Sequence, residues 1–340
     1  MTDSSPHRMR IGILGAAKIA RLFVEAVRTS RKVVVMAVAS RDIARAKSFA
    51  DDTGVARVYP TYEALLADTE IEAVYVPLPN NLHAEWSIRA AQAGKHVLCE
   101  KPLAASAREA RAMFDAARKS GVYLVEGYPY RAQQQTLKLG ELLQSHAIGN
   151  LQLVQASFGF PLSDTSNIRM NPQLAGGALM DAGSYPVSLV RTVAGMAPSR
   201  VYAMSRRAPT GVDATTLATL EFASGLLAQI SCSFATARHR HAFIAGDAGS
   251  IGTTYFNDTS DKFPPLLDVR RGTGWDAERE LIETAAVSGF LAEAESFHDL
   301  VRHGWDQWTG ATPDESIDIA RTLDALADSA RHGVAVDVAA

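Results

Sequence analysis

Residues 10–20 read RIGILGAAKIA. Residues 10–14 are a short apolar run and Gly15 interrupts it. Ile19, Leu22, Phe23, Ala26 and Val27 then recur at helical spacing. A strand that turns at once into a helix presents backbone N–H groups and the positive helix end to whatever lies beyond the strand, a setting suited to a pyrophosphate. The G-x-G-x-x-G fingerprint is only partly kept, as Gly15, Ala17 and Ala20. Gly15 supplies the turn. Ala17 and Ala20 each add a methyl where phosphate approach and helix packing favour none. Gly15, Ala16, Ala17, Lys18 and Ile19 are therefore candidate cofactor contacts, and an ordinary strand-to-helix turn is the alternative.

The same alternation continues. Residues 33–39, 57–59, 73–76, 96–99 and 122–126 are apolar runs, separated by amphipathic stretches. Asp42, Thr61 and Ser106 stand where helix N-caps belong, and Gly54, Gly94 and Gly121 where helices stop. The pattern predicts a doubly wound parallel sheet covered on both faces, with ligands at the carboxyl ends of its strands. Ser40-Arg41, Leu78-Pro79-Asn80-Asn81 and Glu100-Lys101 all fall at such ends. After the second strand, an acid would bind a ribose 2′-hydroxyl and a cation a 2′-phosphate. Here the residues are Ser40 and Arg41, with Arg45 one turn on, so NADP is expected rather than NAD. Asp42 is the rival ligand, but it stands where a helix start favours an acid.

With 340 residues the chain suggests two domains. We divide it into residues 1–127, a dinucleotide-binding domain, and 128–340, an α+β substrate and oligomerisation domain. A net charge of −3 gives no electrostatic case for nucleic acid or an anionic membrane. No apolar run is long enough to span a bilayer. Two cysteines, Cys99 and Cys232, together with an N-terminus lacking a secretory pattern, fit a reducing cytoplasm. The first residues and the Ala-rich tail are expected to be loose.

Beyond residue 150 the texture changes. Residues 151–160, 200–206, 215–222, 226–234, 242–246 and 250–255 read as strands with close turns, hence a largely antiparallel open sheet. Residues 133–146, 177–193, 284–302 and 313–332 read as helices, and 257–263 and 271–275 as surface connections. Asp181 and Tyr185, four apart, share a helical face, and Gly177 and Gly183 would let it approach a ligand. Arg238-His239-Arg240-His241 lacks metal-ligand spacing and reads as a strand edge or subunit contact.

Residues 76–83, VPLPNNLH, 94–102, GKHVLCEKP, and 176–185, GGALMDAGSY, together resemble the Gfo/Idh/MocA family (glucose–fructose oxidoreductase, inositol dehydrogenase and rhizopine catabolism) over nearly the whole chain. Its aldose and dihydrodiol dehydrogenase branch is the nearest in appearance. The resemblance implies a Rossmann domain and a hydride transfer between NADP and a hydroxyl-bearing carbon of a sugar or cyclic diol. Lys101 would lie beside nicotinamide and substrate, with burial lowering its pKa. Tyr185 would move the proton, which a phenol does poorly at neutral pH unless a cation helps. Asp181 would bind substrate or tune its neighbours, and Glu100 would orient Lys101 or the ribose. The Lys101–Pro102 bond is expected to be cis.

Pro79, Asn80, Asn81 and His83 would border the nicotinamide, with helix capping as the plainer role for the asparagines and His83. Tyr130 and Arg131 would border the cleft, although Ala132 to Gln135 depart from the family pattern. Asn167 and Arg169 would reach a polyol. The family also implies a homodimer or larger homo-oligomer through the second sheet. The alternatives are a keto-sugar reductase, an oxidoreductase that retains its NADP, and a non-catalytic NADP-binding regulator. No metal is needed for this chemistry.

Overall fold

The computed structural model describes residues 8–260 and 262–338. The termini expected to be loose fall mostly outside that range. Six strands form the first sheet: β1 (Met9–Leu14), β2 (Val33–Ala39), β3 (Arg57–Tyr59), β4 (Ala73–Val76), β5 (His96–Glu100) and β6 (Leu124–Gly127). The order is β3-β2-β1-β4-β5-β6 and every pairing is parallel. That is the doubly wound dinucleotide-binding order, whose crevice opens between β1 and β4.

The connecting helices are α1 (Lys18–Val27), α2 (Ile43–Thr53), α3 (Tyr62–Leu66), α4 (His83–Gln92) and α5 (Ala107–Lys119). Local chemistry sets their ends as expected. Asp42 accepts from the Ala44 and Arg45 N–H groups, Thr61 from Ala64 and Ser106 from Glu109, while Gly54 closes α2 in the left-handed conformation.

The second half begins with α6 (Gln134–Gln144) and β7 (Leu151–Gly159). A π-helical turn (Leu179–Gly183) then runs into α7 (Ser184–Ala194). Pro186 explains the wide turn, because it has no N–H to offer the carbonyl four residues back. The remaining strands are β8 (Arg200–Arg207), β9 (Asp213–Glu221), β10 (Leu227–Ser233), β11 (His239–Gly246), β12 (Gly249–Thr253), β13 (Leu266–Arg271) and β14 (Glu278–Glu283). After them come α8 (Gly289–His303), α9 (Pro313–His332) and β15 (Val336–Asp337). The sheet order is β14-β13-β12-β11-β7-β10-β9-β8-β15, and only β7 and β10 run parallel. The hairpin β13–β14 and the short β15 were not foreseen, and α8 starts five residues later than expected. α9 spans the expected residues, with a Thr312–Glu315 capping box.

Packing crosses the division at residue 127. Phe290, Ala294, Phe297 and Leu300 of α8 join Ile11, Ile13 and Phe23 in the core on one face of the first sheet. In α9, Ile319, Leu323 and Leu326 belong to the core of the second sheet and Ala320 to the other face of the first. The second sheet buries one face under α7 and α9. Its outer face exposes Tyr202, Met204, Leu217 and Phe243. No helix among the described residues is long and apolar enough to cross a membrane.

Candidate active site

The carboxyl ends of β1, β4 and β5 face the start of α7. Gly15, with φ +113°, makes the turn after β1, and a Cβ there would stand 2.9 Å from Leu78 Cδ2. Ala17 precedes α1 with no side-chain cap, so the first-turn N–H groups remain available to a ligand. Ala20 is fully buried against the sheet, so its extra methyl is accommodated. Ala16, Ala17 and Ile19 are half-buried around the turn and Lys18 is exposed. Arg41 and Arg45 are exposed at the start of α2, and both bring positive charge to the Tyr62 phenol. The Tyr62 hydroxyl lies 3.9 Å from that same Cβ position of Gly15. Asp42 spends one carboxylate oxygen on its helix cap, and buried Ser40 accepts from the Asp42 N–H. These residues fit a dinucleotide carrying an extra phosphate.

The chain after β5 is held from several sides. Glu100 is buried and its carboxylate accepts a 2.5 Å hydrogen bond from Tyr75 on β4. Burial pushes the Glu100 pKa up, against Lys101 and the Tyr75 bond. The Lys101–Pro102 peptide is cis, as expected. His83 is buried, with Nδ1 2.8 Å from the Pro102 carbonyl oxygen and Nε2 2.7 Å from that of Leu78. It braces the loop after β5 against the loop after β4 rather than capping a helix. Asn80 donates across the cleft to the Ala175 carbonyl at 2.9 Å, and Asn81 is exposed.

Lys101 reaches the second half of the chain. Its ammonium donates to Asp181 Oδ1 at 3.0 Å and to the Asp181 carbonyl at 3.1 Å, and lies 4.9 Å from the Tyr185 ring centroid. Arg169 Nε donates to the other Asp181 oxygen at 2.7 Å. Burial disfavours the Lys101 ammonium, but Asp181, Tyr185 and Glu100 together outweigh it, and the pKa lies above the ordinary lysine value. This corrects the lowered pKa expected from the sequence: Lys101 is a held cation, not a base. Burial likewise opposes the Asp181 carboxylate, but Lys101 and Arg169 pull its pKa down. Tyr185 is buried, and Asn257 donates to its hydroxyl at 2.9 Å.

Other expected residues serve elsewhere. Asn167 accepts from the Arg169 N–H and caps the short turn that carries Arg169. Arg131 is buried in an ion pair with Glu315 at 3.0 Å. Tyr130 is fully buried and bonded to Ser188, beside the Tyr185 ring. Gly177 and Gly183 make room for protein, not ligand. A Cβ on Gly177 would meet Asp213 Oδ1 at 2.2 Å, and one on Gly183 would meet Cys232 Sγ at 3.0 Å. Asn257 and Arg240 both touch Tyr185 and were not foreseen. Asn257 lies in a connection with no periodicity, and β11 is an interior strand, not an edge.

Glu126, at the end of β6, supports this region from below. Oε1 accepts from the Leu103 N–H at 2.8 Å, while Oε2 is buried with no hydrogen-bond partner among the described residues. Burial pushes its pKa up to about 7. Between the unfolded value near 4.5 and about 7 the folded protein binds a proton that the unfolded chain does not. Its contribution is therefore full below the unfolded pKa and lost as the pH rises through the folded one. Buried Glu100 and Glu293 are raised too and act in the same direction. Glu126→Gln should remove about 3 kcal/mol of the stability lost between acid and mildly alkaline pH. Urea melts of both proteins at the two pH values check this, and parallel losses would refute it.

Among known proteins, two family models match. The model described as an oxidoreductase family with an NAD-binding Rossmann fold covers residues 9–128, and that described as a GFO/IDH/MocA C-terminal domain covers 136–252. D-xylose 1-dehydrogenase (NADP(+)) 2 of Haloferax volcanii is 39% identical, over 97% of this chain and all of its own. Trans-1,2-dihydrobenzene-1,2-diol dehydrogenase of Danio rerio is 37% identical, over 85% of this chain and 92% of its own. A 3-ketoreductase of Actinomadura kijaniata, solved with NADP and TDP-benzene, superimposes with a TM-score of 0.85 at 29% identity, over 95% of this chain and 98% of its own. Motifs, fold and relatives agree, and the chain belongs to the Gfo/Idh/MocA family of NAD(P)-dependent oxidoreductases.

Proposed function

We propose that the protein is an NADP(H)-dependent dehydrogenase of aldoses or cyclic diols. The observation that carries this reading is the meeting of Lys101, from one half of the chain, with Asp181, Arg169 and Tyr185 from the other. NADP, when bound, supplies the hydride acceptor. Gly15 to Ile19 would hold its pyrophosphate, Ser40, Arg41 and Arg45 its 2′-phosphate, and Leu78 to Asn81 with Glu100 its nicotinamide half.

Tyr185, acting as the phenolate, takes the proton from the substrate hydroxyl at its oxygen and is left as the neutral phenol. The Lys101 ammonium holds the negative charge that develops on the substrate oxygen. Asp181 keeps Lys101 charged and aimed. Arg169, anchored on Asp181 and still partly exposed, donates to neighbouring substrate hydroxyls. Arg131 is left out of the substrate set because Glu315 already takes its guanidinium. The same steps run backward would reduce a keto-sugar, a second reading favoured by the likeness to the 3-ketoreductase. The apolar outer face of the second sheet supports pairing of two copies.

The test is a panel of pentoses, hexoses, inositols and cyclic diols, following NADP reduction at alkaline pH, with keto-sugars and NADPH in reverse. Turnover on at least one aldose or cyclic diol is expected. Inactivity across the whole panel with both coenzymes would sink the dehydrogenase reading, and activity on keto-sugars alone would select the second.

A further inference from the structure

β11 sends one charged side chain into the interior. The pleat turns His239 and His241 outward and Arg240 inward, beside Ala242 and Ile244. Arg240 is only 6% exposed. Its guanidinium carbon lies 3.9 Å from the Tyr185 ring centroid, 4.7 Å from Tyr255, 5.0 Å from Phe158 and 5.4 Å from Tyr130. Nη1 donates to Asn257 Oδ1 at 3.3 Å, and Asn257 Nδ2 donates in turn to the Tyr185 hydroxyl. Nε and Nη2 are buried with no hydrogen-bond partner among the described residues. Among the described residues, burial and three tyrosines act most strongly on Arg240, and no carboxylate pairs with it.

A buried cation without an anion costs several kcal/mol. Aromatic faces offset part of that, at about 0.5–2 kcal/mol each. An apolar side chain of similar volume would fill the space more stably. A role in packing alone therefore does not account for a guanidinium here. Its position on the ring of the proton-transfer group does.

We infer that Arg240 is a positioning residue for proton transfer at Tyr185. It stacks on the ring, reaches the hydroxyl through Asn257, fixes the direction of the phenol and holds positive charge beside its oxygen. This rests on the role proposed above for Tyr185. Charged and titratable groups approach Tyr185 from several elements. Lys101 follows β5, with Asp181 of the π turn and Arg169 behind it. Tyr75 lies on β4, Tyr128 and Tyr130 follow β6, and Arg240 comes from β11. Tyr255 faces Arg240 itself. Lys101 and Arg240 are the two cations on the ring among the described residues, so losing Arg240 halves the positive charge in contact with it.

The test measures kcat and KM against pH for the full-length wild type, Arg240→Met, Arg240→Lys and Tyr185→Phe, using NADP and an active substrate from the panel. Arg240→Met should move the acidic limb of kcat up by about one pH unit, a roughly tenfold loss near neutrality with KM changed less than about threefold. Arg240→Lys keeps the charge and should restore the limb. An unmoved limb in Arg240→Met overturns the inference, while an inactive Tyr185→Phe keeps the reading of the site. An active Tyr185→Phe overturns that reading instead. If Arg240→Met does not fold, Asn257→Asp carries the test. A carboxylate beside the hydroxyl should also raise the limb, and an unmoved limb there overturns the inference equally.

Discussion

Lys101→Met should leave the protein folded and lower kcat by about a thousandfold, the loss typical of removing a preorganised charge from a developing oxyanion. The variant is informative because Asp181 keeps a partner. Arg169 Nε still donates to Asp181 Oδ2 at 2.7 Å, so no buried carboxylate is stranded. The stability cost should therefore stay at about 1–2 kcal/mol, below the cost of breaking a lone buried pair. KM for substrate should change far less than kcat, because the ammonium acts where charge develops. Asp181 raises the Lys101 pKa, so this group keeps its proton through neutrality and contributes no limb to the pH profile there. Steady-state kinetics beside a thermal melt decide the matter. A kcat within about threefold of wild type, in a folded variant, would remove Lys101 from the chemistry.

The first sheet was legible because its signals are local. Each strand is an apolar run, α2, α3 and α5 begin on side-chain caps, and Gly15, Gly54 and Gly121 punctuate at positive φ. Arg41, Glu100 and Lys101 could be found at strand ends for the same reason. What stayed hidden depends on contacts between distant segments. Arg169 and Arg131 look equivalent as sequence, yet Arg169 meets Asp181 and Arg131 meets Glu315, 184 residues away. His83 gave no hint that it spans two carbonyls on different loops. Arg240 reads in sequence as part of a strand edge or subunit contact, whereas β11 is an interior strand that turns it inward, opposite its two flanking histidines. Period-two alternation with Ala242 and Ile244 was the available signal, since it puts a charge on the apolar face. The β13–β14 hairpin was missed because β14, ERELIE, is almost wholly exposed and carries no apolar face.

Arg41→Ala combined with Arg45→Ala should raise KM for NADP by about a hundredfold and leave KM for NAD within about threefold. Each charge-assisted bond to a phosphate contributes about 1.5–3 kcal/mol, and each 1.4 kcal/mol is tenfold in affinity. Screening at this exposed site reduces the sum, so the lower end of that range applies to the pair. The selectivity should be one-sided for a structural reason. Asp42 Oδ1 is occupied by the Ala44 and Arg45 N–H groups, so removing the arginines does not free a well-placed acid for the ribose hydroxyls of NAD. NAD binding should therefore neither collapse nor improve much. The turn at Gly15 and the uncapped start of α1 are untouched by the substitutions, so the contacts common to both coenzymes persist. Rising salt should weaken NADP binding by the wild type more than by the double variant. Equal increases in KM for both coenzymes would place the arginines outside the 2′-phosphate site and return the coenzyme preference to the acid at position 42.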